Sequence, residues 1–199
     1  MNLNTISNIF AARLCNKLKL GEDLIPVYAY GLELLLAAIL NILLIILAAF
    51  FFHVPYAWLF FLLAFIPLRV TAGGYHAGTH LRCTVVCLAA FIITIALANY
   101  IPDTYRPIIS VISCLFNLAT IVFLSPVQAA QKPLTSNERR INRKRSLVLA
   151  ILFCGISLLG LYWRFFSDIL FFSFGVLTAA FSQIAGKIQS IIEGRRTHE

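Results

Sequence analysis

From Val27 to Phe52 the chain carries one charged side chain, Glu33, and one amide, Asn41, among residues that are otherwise almost all apolar. An apolar run of this length meets the roughly 20 residues that an upright helix needs to cross the hydrocarbon of a bilayer. Lipid offers backbone polar groups no partners, so such a segment has to close its hydrogen bonds within a helix. The same pattern recurs at Cys83–Ile101, Ile108–Leu124, Ser146–Trp163 and Phe165–Ile192, the last starting near Ile169. A further run, Val54–Leu68, is shorter and is bracketed by Pro55 and Pro67. It reads as a short crossing helix with a disturbed C-terminal end, with a re-entrant segment as the competing reading. With 60% hydrophobic and 12% charged residues there is no material for a separate soluble domain, and 1–199 reads as one membrane-embedded unit. Met1 to Gly21 lacks the apolar core and small-residue cleavage site of a secretory signal.

Lys and Arg placement sets the expected topology, because positive loops stay in the cytoplasm. With the N-terminus inside and six crossings, fourteen of the 16 basic residues fall inside, and only Arg106 and Arg164 lie outside. If Val54–Leu68 failed to cross, Arg13, Lys17 and Lys19 would have to move outside. The expectation is therefore an all-α bundle of six transmembrane helices with both termini cytoplasmic. The net charge of +8 is then a topology signal with attraction to anionic lipid, and does not point to nucleic acid.

Within the N-terminal segment 1–24, Leu3, Ile6, Ile9, Phe10 and Leu14 recur at helical spacing, with Arg13 and Lys17 elsewhere. This predicts a basic amphipathic helix on the inner membrane surface. The five cysteines show none of the paired spacing of a secreted disulfide scaffold, and Cys114 and Cys154 read as small packing residues.

Chemistry concentrates in the gap 68–82 and the residue after it, where Arg69, Gly73, Gly74, His76, His80, Arg82 and Cys83 gather at the mouth of a span. Ionisable groups near membrane depth are costly and mark function. A Cys attacks a carbonyl as thiolate; a neighbouring His can take its proton, and adjacent Arg side chains favour the anion. On a continuous helix His80, three residues before Cys83, would be its neighbour. His76 would sit about 10.5 Å along the axis, and would reach Cys83 only if the chain folds back at Gly73, Gly74 or Gly78. Local geometry prefers His80. His76, His80, Cys83 and Cys87 are also donors that zinc uses, but four ligands along one helix cannot converge on a tetrahedral ion, so no metal or other cofactor is expected.

Arg69, the run Gly73-Gly74-Tyr75-His76 and Cys83 are matched by a second pattern, Ser125-Pro126-Val127-Gln128 through Gln131-Lys132-Pro133-Leu134, followed by a basic run from Arg139 to Arg145. With the span layout, these resemble the AgrB (accessory gene regulator B) membrane peptidases of bacterial quorum sensing along essentially the whole chain. The resemblance implies Cys83 as nucleophile, His76 rather than His80 as base, and a role for Arg69 near the site. His80 departs from the expected pair as a second proton acceptor. It also implies a multi-pass protein of the bacterial cell membrane that cleaves an AgrD-type propeptide through a thioester and supports closure of a thiolactone or lactone ring, and a homodimer. Gly73 and Gly74 are then candidates to offer backbone N–H groups to an oxyanion, with simple turn chemistry as the alternative. In the basic loop 125–145, Lys132, Arg139, Arg140 and Arg143 are candidates to attract the propeptide's acidic region, with topology alone as the alternative. The competing class is a non-enzymatic transporter or export partner for a peptide; intramembrane charge would favour it, and Glu33 and Asp168 both lie close to span ends.

Overall fold

The computed structural model describes residues 3–75, 79–127, 135–162 and 169–196. Among them are seven α-helices and no strand: α1 Leu3–Leu18, α2 Ile25–Phe51, α3 Ala57–Ala72, α4 His80–Tyr100, α5 Arg106–Leu124, α6 Ser136–Tyr162 and α7 Ile169–Arg196. Among the described residues, four segments are long and apolar enough to cross a membrane, Glu22–Phe51, Leu81–Tyr100, Asp103–Leu124 and Ile169–Ile192, while Ala57–Ala72 is a shorter apolar helix. α6 is charged as far as Arg145 and apolar beyond it.

Local signals account for many of the ends. Proline opens both α2 and α5, where its missing N–H costs nothing. Thr135 and Glu138 form a reciprocal cap before α6: the Thr135 N–H donates to the Glu138 carboxylate at 2.9 Å, and the Glu138 N–H donates to the Thr135 hydroxyl at 3.3 Å. α1 and α2 stop at left-handed Lys19 and His53, and the next residue's N–H in each case reaches back to an orphan carbonyl, Cys15 or Ala49, at 2.9 Å.

Three sequence expectations are corrected. Pro67 does not disturb the end of α3, which continues to Ala72; the hydroxyl of Thr71 donates to the Pro67 carbonyl at 2.8 Å. The gap placed at 68–82 is helical at both ends, so Arg69 stands on the last turn of α3 and Cys83 on the first turn of α4. Likewise the basic stretch expected within a loop at 125–145 is helical from Ser136.

α7 is the hub, packing along α3 and α5 and touching α4 and α6. Its approach to α3 is close because small residues face each other: a Cβ on Gly175 would lie 2.5 Å from the Phe61 carbonyl and 2.9 Å from the Ala64 side chain. Aromatic contacts fill the rest, with Phe61 and Phe91 centroids 5.1 Å apart and Phe153 and Phe172 also at 5.1 Å. α1 packs along α2 through buried Ser7, Ala11 and Cys15, spaced four apart on one face. Ile9, Phe10, Leu14 and Leu18 are left exposed.

Candidate active site

The site forms where α3 ends. Gly73 adopts φ 75° and Gly74 φ 150°, conformations that L side chains rarely take. Space imposes the same choice. A Cβ on Gly73 would strike the Val127 backbone, and one on Gly74 would come within 2.5 Å of the Arg69 guanidinium and 2.6 Å of the Ser182 hydroxyl. Both glycines therefore have a packing reason to be there.

The turn lays Tyr75 against α7. Its N–H donates to the Ser182 carbonyl at 2.7 Å, and its own carbonyl accepts from the Arg69 guanidinium. On the other side the Val127 N–H donates to the Ala72 carbonyl at 2.9 Å, making a parallel bridge between Gly73 and Val127. The end of α3, the segment after α5 and the later turns of α7 thus meet at one junction. Gly186 completes it, lying so close beneath Gly74 and Tyr75 that a Cβ there would reach their backbone.

α4 starts afresh after Thr79, an extended residue whose hydroxyl accepts the Arg82 N–H at 3.4 Å. That start sets Cys83 in the first turn, where the positive end of the helix dipole favours a thiolate. Cys87 is one turn further on along the same face of α4. Both thiols are half-buried and open into a cleft of about 220 Å³ between α3, α4 and α7. Phe65, Arg69, Tyr75, Thr178, Phe181 and Ser182 are among the other residues of its wall. The Arg69 guanidinium is near enough to both sulfurs to interact electrostatically with them. Its Nη1 is buried and has no hydrogen-bond partner among the described residues. A thiol at a helix start, a cation beside it and a small, largely apolar cleft together suit nucleophilic attack with little competing water.

Arg69, Gly73, Gly74 and Cys83, all from one short stretch of sequence, sit where α3 ends and α4 begins, and residues of α7 close the cleft beside them. His76 and the side chain of His80 lie outside the described residues, as does Lys132. Arg139 and Arg140 are exposed on the first turns of α6. Arg143 is also exposed, but donates to the Val122 carbonyl at 3.3 Å and so satisfies an end group of α5. No group of three or more metal-binding side chains occurs among the described residues. Sequence reasoning missed Phe65, Thr178, Ser182 and Gly186. The small residues Gly175, Ala179, Ser182 and Gly186, at helical spacing, were the available sign of a closely packed face on α7.

A family model described as AgrB, accessory gene regulator B, matches residues 7–191, nearly the whole chain. The chain belongs to the AgrB family. No curated protein and no solved structure matches it. AgrB membership fits a role in the processing of a quorum-sensing pheromone, and with the long apolar helices it makes this a membrane protein.

Proposed function

We propose that this chain is a membrane cysteine endopeptidase that cleaves an AgrD-type propeptide and supports its cyclisation. The reading is carried by Cys83 on the first turn of α4, opening into a cleft beside Arg69. In the proposed topology six helices cross the bacterial cell membrane, α3 among them, and this end of the bundle faces the cytoplasm.

The Cys83 thiolate attacks the carbonyl carbon at the C-terminal edge of the future signal, after His76 has taken the thiol proton. Arg69 holds opposite charge next to the sulfur and the developing oxyanion. The C–N bond breaks, the amine leaves with the proton returned by the imidazolium, and a thioester to Cys83 remains. A thiol or hydroxyl within the propeptide then displaces the Cys83 sulfur and closes a thiolactone or lactone. The acyl-enzyme must outlast hydrolysis, and the apolar wall from Phe65, Val86 and Phe181 serves that need. The exposed charges at Arg139 and Arg140 would draw the acidic part of the propeptide toward the membrane surface.

Reconstitution into vesicles with such a propeptide tests this directly, comparing Cys83→Ala, His76→Ala and His80→Ala. Loss of cleavage in the first two is expected. Full activity in Cys83→Ala would end the peptidase assignment, and loss only in His80→Ala would reassign the base.

A further inference from the structure

We propose that Cys87 is a positioning residue for the nucleophile: its S–H donates to the Cys83 sulfur and, with Arg69, holds that sulfur as a thiolate facing the cleft. The inference rests on the reading of Cys83 as nucleophile and adds a partner to it. The two cysteines are four residues apart on α4, hence on one face of the helix. Both thiols line the same cleft as Arg69, and side chains four apart on one helix face are spaced to meet.

Two thiols this close do not both ionise, because the second negative charge would face the first. One proton is therefore held between them, and position decides where it rests. Cys83 is in the opening turn, where the helix dipole acts, and that influence fades within a turn. Cys87 is one turn deeper, beside Val86 and Ala90 in the apolar part of the cleft wall, where charge is disfavoured. The proton stays on Cys87, and the charge falls on the sulfur nearer the turn that carries Tyr75. Of the other elements packed on α4, α3 presents Arg69, the turn presents Tyr75, and α7 lines the cleft with the hydroxyls of Thr178 and Ser182 and carries Lys187 about one turn further on. α2 carries Tyr28, Tyr30 and Glu33 in its opening turns, and α4 itself carries His80 and Arg82 near its start. None of these changes when residue 87 is replaced.

The test uses the full chain in lipid vesicles, in a background with Cys15→Ala, Cys114→Ser and Cys154→Ala. Alkylation of Cys83 by iodoacetamide is followed against pH, with the modified residue located by mass spectrometry. Cys87→Ala should raise the midpoint by roughly half to one pH unit and slow alkylation at pH 7 about three- to tenfold. Cys87→Ser, which restores an O–H donor, should return the midpoint toward that of the parent. An unchanged midpoint in Cys87→Ala, or equal midpoints for Ala and Ser, would overturn the proposal, since a purely structural role does not distinguish donor from non-donor. Alkylation requires no propeptide, so it stands apart from the peptidase reading. Undiminished processing by Cys83→Ala would remove that reading while leaving the alkylation result intact.

Discussion

Gly186→Ala probes the junction with a single methyl group. The added Cβ would lie 2.7 Å from both the Gly74 carbonyl oxygen and the Tyr75 nitrogen, where ordinary contact begins at 3.4 Å. The Gly74 carbonyl carbon would be closer still, at 2.4 Å, and these are backbone atoms with no rotamer to move aside, so the segment must retreat by roughly 1 Å. That retreat stretches the 2.7 Å bond from Tyr75 to the Ser182 carbonyl beyond useful range. Overpacking of this kind costs about 1–3 kcal/mol and the lost hydrogen bond about 1 kcal/mol, offset by about 1 kcal/mol for replacing a helical Gly with Ala. A net penalty of about 1–3 kcal/mol, confined to the junction, leaves roughly 5- to 150-fold fewer molecules with an intact cleft. Propeptide processing by purified protein in vesicles should fall by that factor, while the thermal unfolding midpoint moves little. Gly155→Ala is the control: its Cβ meets nothing within 4 Å, so processing should be unchanged. Wild-type processing by Gly186→Ala would refute the idea that this close backbone approach holds the site.

Other consequences can be measured alongside. Arg139→Gln with Arg140→Gln should slow processing at low salt, with the effect vanishing at high salt, and leave the unfolding midpoint unchanged. Salt-independent processing in both parent and variant would exclude docking through these charges. Arg143→Gln differs, because it removes a donor to the end of α5; it should lower stability by about 0.3–1 kcal/mol, read as a drop in unfolding midpoint in detergent. Asn117 is 1% exposed and neither amide atom has a partner among the described residues, so Asn117→Leu should match or exceed wild-type stability, by up to about 2 kcal/mol. A large loss in that variant would show that the amide is satisfied in the membrane. Phe61→Ala empties the contact between α3, α4 and α7 and should cost about 3–5 kcal/mol, seen as poor recovery of folded protein.

Helix content was legible because lipid leaves the backbone few choices, and an apolar run such as Val27–Phe52 announces itself without reference to neighbours. The cap before α6 is local too, with Thr135 and Glu138 satisfying each other within one turn, but the charged run to Arg145 read as a loop and hid it. Pro67 misled because a proline removes one hydrogen bond but does not by itself end a helix, and packing of α3 against α7 carries the chain through to Ala72. The amphipathic pattern of α1 was visible, but not the small stripe of Ser7, Ala11 and Cys15 that faces α2, because small residues look like neutral filler until a partner helix is set beside them.

At the site the division follows sequence distance. Cys83, Arg69 and the two glycines could be singled out because reactive and permissive residue types crowd a short stretch at a span boundary. Ser182 and Gly186 lie more than a hundred positions away, and nothing in their own neighbourhood says that Tyr75 will bond to one and rest on the other. Sequence alone therefore determined that this chain enters a membrane as helices and sets a cysteine among basic residues at the mouth of a span. Only the tertiary structure decided which surfaces surround that thiol, because the cleft is formed where α3, α4 and α7 meet and its walls come from residues far apart in the chain, Phe65 and Arg69 on one side and Phe181 and Ser182 on the other.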